Sequence, residues 1–541
     1  MINRLSFIKW KSNISSETAL AFLLALTATM VYAGIHIQHF TPAHPEFDCD
    51  GYLILAKRMA QFQPLSRQDA DAFRHQLHFW VEAKDGGMIA KFSPGYPLLM
   101  AVAYRIGGDE AMFWVSPLAG ICTIFGAFLL FRMWMSEVMA GLAVWILAIN
   151  PMWLSYPGYL LTHGVNTCAV TWGMYFLWRW TRRESGGAAI LAGSLLGFAV
   201  TVRYTSLLMG IAVLIAVWVP CRKMYLERKI NPPLIRSIIL LILSYSALIL
   251  GIMLYNWMHF GSLLTTGYGL STEQSAFQLK VLWHNFGRVL NGINSTCLYL
   301  VFPLGLVGLL ITGETKQRLM RIAWFLPLFV LYSSYYWQVE GMAFLRFFIC
   351  TFPVLIGSAF MLLDAVKPSG SKMVHQLLTA LFVLLVVYLQ SGPSQEAMER
   401  IVSNGTSKER LAAGRMLAET FGEEIVVFSQ SPYNAYLDTL RRFRCYDLVR
   451  FSEPWEGSER RHPVRTEAIR RFYQTTALDQ RIVMKRDIVR KYLKAGWPIV
   501  FLIPKTALTK QQEELGGDFV FELVKEWREG DWGVYSVDFK N

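Results

Sequence analysis

The apolar run ALAFLLALTATMVYAGIHI occupies residues 19–37, and the polar motif FDCDGY follows at residues 47–52. A run of this length crosses a hydrocarbon core of about 30 Å as one α-helix. Arg4, Lys9 and Lys11 precede the run, and basic residues in short flanking segments prefer the cytoplasmic side of a membrane. The run is long for a cleaved signal peptide, so we predict an uncleaved anchor that delivers the polar motif to the outer face.

The composition of the chain is that of a polytopic membrane protein. Of the 541 residues, 54% are hydrophobic and only 17% are charged, and the mean hydropathy is +0.33. Soluble domains contain about 25% charged residues. Apolar runs of spanning length recur up to residue 390, whereas the remainder is charge-dense. We predict a mainly α-helical membrane domain, residues 1–390, and a C-terminal extracytoplasmic soluble α/β domain, residues 391–541.

The net charge of +13 does not predict nucleic-acid binding. The basic residues cluster in short loops beside apolar segments, where membrane insertion and anionic lipid headgroups act on Lys and Arg. Membrane orientation therefore explains the charge, and membrane lipids, not nucleic acid, are the expected partners.

Placing the basic loops in the cytoplasm gives a topology of about eleven spans, with the N-terminus inside and the C-terminal domain outside. The expected spans are residues 19–37, 111–131, 137–155, 164–178, 188–202, 206–219, 234–255, 295–312, 322–338, 345–364 and 374–390. Residues 94–106 are apolar but short for a crossing, so we expect them to lie along or dip into the outer surface. A large outer loop, residues 39–110, results.

The C-terminal domain contains three stretches with the character of β-strands. They are residues 424–429, 498–503 and 534–539, and charged, helix-compatible stretches separate them. This alternation predicts an α/β fold.

Two motifs of the outer loop contain residues suited to chemistry. The first supplies Asp48 and Asp50, and the second, KFSPGYP at residues 91–97, supplies Lys91. A carboxylate beside a bilayer suits general base catalysis, and an ammonium group suits phosphate binding. On pattern alone, Asp-x-Asp-Gly is also typical of a turn or a helix N-cap, and an interfacial lysine also extends its charge into water.

These motifs and several later segments resemble the C superfamily of glycosyltransferases, in the branch of the protein O-mannosyltransferases and the lipid A aminoarabinose transferases. Asp48 stands four residues before Tyr52, residues 53–60 are amphipathic, and KFSPGYPLL follows at residues 91–99. The later segments are Arg203 after an apolar run, YNWMHFGS at residues 255–262, TGY at residues 266–268, and RFF at residues 346–348 with Pro353. The resemblance covers residues 15–365.

The resemblance implies an enzyme whose sugar donor is linked to polyprenyl phosphate. Members of the superfamily transfer that sugar to an acceptor on the outer face of the membrane. For this chain it implies transfer to a hydroxyl of a lipid, glycan or protein at the cytoplasmic (inner) membrane, with inversion. Asp48 is the expected general base, and Asp50 would orient it, bind a cation or share the proton.

The expected substrate-binding residues surround that base. Lys91 would bind the carrier phosphate and stabilise its charge as it departs. Arg203 and Arg346 adjoin apolar spans, where an unpartnered charge costs ~2.5–3.5 kcal/mol, so each needs a phosphate or a carboxylate such as Glu340 as partner. The remaining members of the expected set are Tyr52, Tyr96, His163 and Tyr268.

Two positions depart from the family pattern. Cys49 stands where a second acidic residue is usual, and His163 stands where many relatives have an acid. A histidine there would bind a metal, move a proton near pH 7, hydrogen-bond the sugar, or only cap the following span. A lone Asp and His do not make a metal site, and the seven cysteines form no CxxC pair. No cofactor is assigned, and a divalent cation stays open.

Two outer segments complete the sequence-based picture. The loop of residues 256–294, which includes Glu273, is long enough to cover a substrate, and loops of this length are often functional. Tyr335, Tyr336 and Trp337 are interpreted as part of an interfacial aromatic belt.

Two other classes of protein have a similar overall pattern. Many spans with a few embedded charges also describe a lipid or glycolipid transporter or flippase, and an inactive scaffold with a partner-binding C-terminal domain is the third alternative. Transporters often show paired repeats or broken spans at matching positions, and the sequence shows neither. The candidate residues also gather on one predicted face, which favours the enzyme.

Overall fold

Helices form most of the chain, as its apolar composition predicts. The computed structural model describes residues 15–43, 48–68, 79–228, 230–271, 273–336, 342–366, 372–403, 405–430, 443–452, 475–528 and 530–540. The helices up to residue 403 are α1 (Ser16–Gln38), α2 (Asp48–Ala60), α3 (Gly95–Phe131), α4 (Glu137–Ala148), α5 (Pro151–Ser155), α6 (Thr162–Arg183), α7 (Gly186–Val202), α8 (Gly210–Leu226), α9 (Pro232–Phe260), α10 (Gly267–Leu270), α11 (Leu279–Gly292), α12 (Val301–Ile311), α13 (Thr315–Ser333), α14 (Met342–Leu345), α15 (Phe352–Ala365) and α16 (Lys372–Ser403).

Side chains with short polar groups set the starts of several helices. The Ser15 hydroxyl accepts a hydrogen bond from the Thr18 backbone N–H at the start of α1. Asn150 and Asn231 cap α5 and α9 in the same way. Such caps satisfy backbone donors that the first turn of a helix leaves unpaired. Gly261 ends α9 in the left-handed conformation, which glycine adopts without a steric penalty.

Several helices have the length and composition of membrane spans. Within the described ranges, six helices qualify, or up to eight if each of two bent pairs is one span. The bends are 62° between α4 and Pro151–Gly158, and 112° between Leu279–Leu298 and α12. The predicted multi-pass helical class is confirmed.

The predicted count of about eleven spans is not confirmed. Every predicted span overlaps a described helix, but three of these helices do not qualify on length and composition. Helix α7 is short, with 17 residues, and α6 and α13 are more polar than the helices that qualify.

Residues 94–106, predicted to follow the outer surface, form the first part of α3. The helix has 37 residues, which would extend about 55 Å if straight and so exceed a bilayer core. Gly107 and Gly108 interrupt it with non-helical backbone angles, and Gly108 has φ +71° and ψ −157°. The first part is therefore a separate arm, which packs on α2, where Arg105 donates a hydrogen bond to the carbonyl of Ala60.

The two motifs of the outer loop pack against each other. Strands β1 (Trp80–Glu82) and β2 (Met88–Ala90) form an antiparallel hairpin that ends directly before Lys91. The ring of Phe92 lies 4.2 Å from the ring of Tyr52 on α2. A Cβ at position 51 would clash with Phe92, so Gly51 permits this close approach.

A mixed five-stranded sheet forms the C-terminal part, which confirms the predicted α/β character. Its strands are β3 (Val426–Ser429), β4 (Arg444–Asp447), β5 (Ile499–Pro504), β6 (Phe519–Trp527) and β7 (Trp532–Phe539), in the order β4-β3-β5-β7-β6. The helices here are α17 (Gly405–Phe421), α18 (Leu448–Ser452), α19 (Leu478–Lys494) and α20 (Leu508–Leu515). Strand β3 is parallel to β4 and β5, and β7 is antiparallel to β5 and β6.

The sequence predicted three of these strands, β3, β5 and β7, and missed two. Strand β4 has only four residues, too few for a clear alternation. Strand β6 lies at the edge of the sheet and is mostly exposed, so it lacks the apolar pattern of a buried strand.

The proposed domain boundary after residue 390 falls inside α16. The side chain of Gln390 donates to the Cys297 carbonyl at 3.4 Å, and the Ser394 hydroxyl donates to the Ile149 carbonyl at 2.7 Å. Residues on both sides of the boundary thus bond to the helical part of the chain. The division into two domains remains a proposal.

We predict that Gly108→Ala destabilises the protein. The backbone angles at Gly108 lie in a region that residues with a Cβ rarely adopt, at a cost of about 1–3 kcal/mol. Thermal unfolding of the purified protein in detergent should show a lower melting temperature. Gly251→Ala is the matched control, because this glycine lies within α9 and a Cβ there meets open space. Equal melting temperatures for both variants would contradict the account of the break in α3.

Candidate functional site

Six of the predicted site residues line one cavity of about 210 Å³. They are Tyr52, Lys91, His163, Arg203, Tyr268 and Arg346. They come from α2, the segment after β2, the first turn of α6, the end of α7, α10, and the turn Arg346–Thr351. Segments far apart in sequence therefore converge on a single site.

The acidic motif lies in the first turn of α2. Asp48 is the first residue of the helix and stands one turn before Tyr52. Tyr52 lines the cavity. The structure describes the backbone of Asp48 and not its side chain. Asp50, two residues before Tyr52, is buried and does not line the cavity.

The cavity lining contains a buried ion pair. The Lys91 ammonium lies 2.5 Å from a carboxylate oxygen of Glu273, and the two side chains are 3% and 13% exposed. The other carboxylate oxygen of Glu273 accepts a hydrogen bond of 2.8 Å from the Tyr335 hydroxyl. The rings of Phe79 and Tyr268 lie 5.3 and 5.4 Å from the ammonium. Aromatic faces and one carboxylate thus surround the Lys91 charge.

Close backbone packing holds the 256–294 loop over Lys91. A Cβ at Gly267 would clash with the backbone of Lys91, and only glycine permits this approach. The adjacent Thr266 caps α10 by accepting a hydrogen bond of 3.1 Å from the Gly269 backbone N–H. The loop is thereby fixed where Tyr268 reaches the cavity wall.

A second cation of the cavity lining is Arg203, directly after the last residue of α7. Its guanidinium donates hydrogen bonds to the Thr162 hydroxyl at 2.8 Å and the Tyr332 hydroxyl at 3.1 Å. The ring of Phe347 lies 5.4 Å away. In the described part of the chain, no carboxylate pairs with Arg203. This half-buried cation therefore has neutral partners and faces a cavity.

Arg346 and His163 also line the cavity. Both are buried, and the Phe347 ring lies between them, 5.6 Å from the Arg346 guanidinium and 5.6 Å from the His163 ring. His163 stands in the first turn of α6, next to Thr162. Glu340, the predicted alternative partner of the arginines, lies outside the described residues.

Two tyrosines, Tyr96 and Tyr335, lie in other places than the sequence predicts. Tyr96 is buried away from the cavity, where its hydroxyl bonds to Ser116 at 2.9 Å and its ring packs 5.3 Å from that of Tyr52. Tyr335 is 5% exposed and lines the cavity, so its assignment to an interfacial belt is wrong. The hydrogen bond to Glu273 turns this ring inward. Trp337 lies outside the described residues.

The charges of the lining favour an anionic ligand. Lys91, Arg203 and Arg346 oppose Glu273, so the described lining carries a formal excess of two positive charges. The remaining lining is largely aromatic and suits a sugar ring or an isoprenoid chain. Across the described residues, no group of three His, Cys, Asp or Glu is arranged to hold a metal ion.

Sequence reasoning missed several members of this lining. Thr162, Tyr332 and Phe347 line the cavity around Arg203, and Tyr335 and Glu273 line it around Lys91. Thr162 and Phe347 adjoin predicted site residues in the sequence, and Glu273 lies within the long outer loop. Tyr332 and Tyr335 have no such signal, because their contacts with the site span large sequence separations.

We predict that Gly267→Ala disrupts this site. The added Cβ meets rigid backbone at Lys91, so the loop must move, at a cost of about 1–3 kcal/mol. The melting temperature in detergent should fall relative to wild type. Gly287→Ala on α11, where a Cβ meets open space, should leave it unchanged. A Gly267→Ala protein as stable as the control would refute the close packing of loop and motif.

Comparison with known proteins supplies a family match for part of the chain. Residues 91–249, which begin at Lys91 and extend into α9, match the family described as dolichyl-phosphate-mannose-protein mannosyltransferase. No curated protein matches the sequence.

Solved structures share the fold over almost the full chain. ArnT from Cupriavidus metallidurans bound to undecaprenyl phosphate is 14% identical with a TM-score of 0.57, covering 96% of this chain and 97% of that one. The apo form of that protein is 12% identical with a TM-score of 0.52 and the same coverage. Arabinofuranosyltransferase AftD from Mycobacteria is 12% identical with a TM-score of 0.52, covering 95% of this chain and 41% of that one.

Identity at this level shows a common fold and leaves the substrate undefined. The fold and the family match agree with the resemblance drawn from the motifs. Over residues 91–249 the chain matches the dolichyl-phosphate-mannose-protein mannosyltransferase family, and over almost its full length it has the fold seen in the ArnT structures.

Proposed function

We propose that the protein transfers a sugar from a polyprenyl-phosphate donor to an acceptor hydroxyl on the outer face of the cytoplasmic membrane. The observation that carries this proposal is the cavity, where Lys91, Arg203 and Arg346 meet among aromatic walls. The phosphodiester of such a donor is an anion, and the sugar and isoprenoid flank it. The related ArnT structure contains undecaprenyl phosphate, a carrier of this class.

The cations act on the charge that develops at the phosphate. When the bond between sugar and phosphate breaks, the bonding electrons pass to the phosphate oxygen. Arg203 and Arg346 then face a phosphate monoester with up to two negative charges. Fixed cations in a partly dry cavity stabilise that charge more than bulk water does. Of the three, Arg203 is the strongest candidate because its described partners are neutral hydroxyls.

Asp48 is the proposed general base. It starts the helix whose face includes the cavity residue Tyr52. In the proposed step the acceptor oxygen attacks the anomeric carbon opposite the phosphate, its proton passes to Asp48, and the polyprenyl phosphate leaves. The anomeric centre is inverted. The buried Asp50 would orient or share that proton, and His163 would hydrogen-bond the sugar.

The proposed topology follows from the same chemistry. The polar motifs, the cavity and the C-terminal domain would lie outside the cytoplasm, with the N-terminus inside. A lipid-linked donor delivers activated sugar to that side, where nucleotide sugars are not expected. The acceptor would be a lipid, a glycan or a protein, and the C-terminal domain, residues 391–541, would shape its access.

We predict that Asp48→Asn reduces sugar transfer by about 10²–10⁴-fold, the usual contribution of a general base. The assay incubates purified protein with polyprenyl-phosphate-mannose or polyprenyl-phosphate-aminoarabinose and membrane acceptors, and measures release of polyprenyl phosphate. Asp109→Asn is the matched control, because this outer carboxylate pairs with Lys57 outside the cavity. Unchanged transfer by the Asp48 variant would overturn its assignment. If the wild-type protein moves a labelled lipid across a membrane but transfers no sugar, and the Asp48 variant loses that movement, the alternative function of a flippase is favoured.

We predict that Arg203→Met weakens donor binding. Removal of the guanidinium takes away one of the two arginines that would face the phosphate, and the donor KM should rise about tenfold, typical of a charge-assisted hydrogen bond. Steady-state kinetics with varied donor concentration measures this change. Arg288→Met, at an exposed position of α11, should leave the KM unaltered. A KM equal to that of wild type would exclude Arg203 from phosphate binding.

A further inference from the structure

Glu273 occupies a position that the backbone fixes from both sides. On the N-terminal side, Gly267 packs against the backbone of Lys91. On the C-terminal side, the Gln278 backbone N–H donates to the Ser334 carbonyl at 2.8 Å. A second backbone hydrogen bond, two residues away on each strand of chain, joins the same two segments. The carboxylate is therefore presented to Lys91 by two anchored segments.

The cations Lys91 and Arg203 of the cavity lining differ in their partners. Glu273 already neutralises Lys91 and also accepts a hydrogen bond from Tyr335. Arg203 has hydroxyl partners and, among the described residues, no paired carboxylate. A phosphate entering the cavity meets an available cation at Arg203, but it must compete with Glu273 for Lys91.

This competition depends on the charge of the ligand. A polyprenyl-phosphate sugar is a phosphodiester with one negative charge, whereas the polyprenyl phosphate left after transfer is a monoester with up to two at neutral pH. Fixed cations therefore hold the product more strongly than the donor, which would slow turnover. An internal anion that re-pairs with the buried Lys91 lowers the free energy of the empty site and opposes that tight binding.

We propose that Glu273 is a positioning residue that competes with the carrier phosphate for Lys91 and thereby promotes product release. This inference rests on the proposed use of a polyprenyl-phosphate donor. Arg203 holds the phosphate before and after transfer, while Lys91 alternates between the phosphate and Glu273. The carboxylate itself takes no part in bond making or breaking.

The test measures binding of polyprenyl phosphate and of a polyprenyl-phosphate sugar to the full chain in detergent. In Glu273→Gln the side chain keeps its shape and its capacity to accept from Tyr335, but it no longer neutralises Lys91. Polyprenyl phosphate should bind about tenfold more tightly than to wild type, as expected for coupling between neighbouring charges. The monoanionic sugar donor should gain less. In turnover, KM and kcat should both fall, with stronger inhibition by the product.

A double-mutant cycle separates this role from a structural one. In the Lys91→Met background, Glu273→Gln should leave product affinity unchanged, because its effect acts through the ammonium group. Glu273→Asp has a shorter side chain, so it should also tighten the binding of polyprenyl phosphate, but by a smaller factor. This variant is used in the test if the Glu273→Gln protein does not fold.

Two outcomes would overturn the proposal, and they are distinguishable. If wild type binds polyprenyl phosphate and both Glu273 variants bind it equally or more weakly, the counter-ion role is refuted while the proposed donor stands. If wild type does not bind polyprenyl phosphate at all, the proposed function fails, and the inference fails with it.

Discussion

The cost of holding positive charge beside apolar spans is the constraint on which the site depends. Lys91 and Arg346 are buried and Arg203 is half-buried, all at the edges of apolar helices. Such cations persist only when carboxylates, hydroxyls, aromatic faces or a ligand stabilise them. The protein meets this need in two ways, with a carboxylate at Lys91 and with hydroxyls and rings at Arg203. That difference leaves Arg203 better suited than Lys91 to bind an external anion.

The fold brings these groups together through glycine-dependent close approaches. Gly51 brings α2 against Phe92, and Gly267 brings the outer loop against Lys91. Each approach joins two segments that the sequence leaves about forty or more residues apart. The cavity forms where the segment after the hairpin β1–β2, the first turn of α6 and the loop before α11 meet. Steric limits on a few glycines thus position a site whose chemistry comes from other residues.

Much of this arrangement was accessible from sequence because its signals are local. The lengths of apolar runs predicted the positions of the helices. Tyr52, Lys91, His163, Arg203, Tyr268 and Arg346 were selected by motif, and all six line the cavity. The break in α3 coincides with Gly107 and Gly108, which directly follow the predicted surface segment, residues 94–106.

The remainder depends on contacts that sequence patterns do not encode. The pairing of Lys91 with Glu273 and the hydrogen bond from Arg203 to Tyr332 join segments far apart in the chain. Tyr335 was placed in an interfacial belt because local context cannot distinguish a tyrosine at the headgroups from one facing a cavity. The bends after α4 and before α12 also altered the number of qualifying spans.

The central claim is that the cavity binds a polyprenyl phosphate, and native mass spectrometry of the protein purified from its own membranes in mild detergent tests it most directly. The account predicts one retained polyprenyl phosphate, or its sugar ester, per protein molecule, with retention that decreases as ionic strength rises. Retention of bulk phospholipids alone, unchanged after addition of polyprenyl phosphate, would contradict the account.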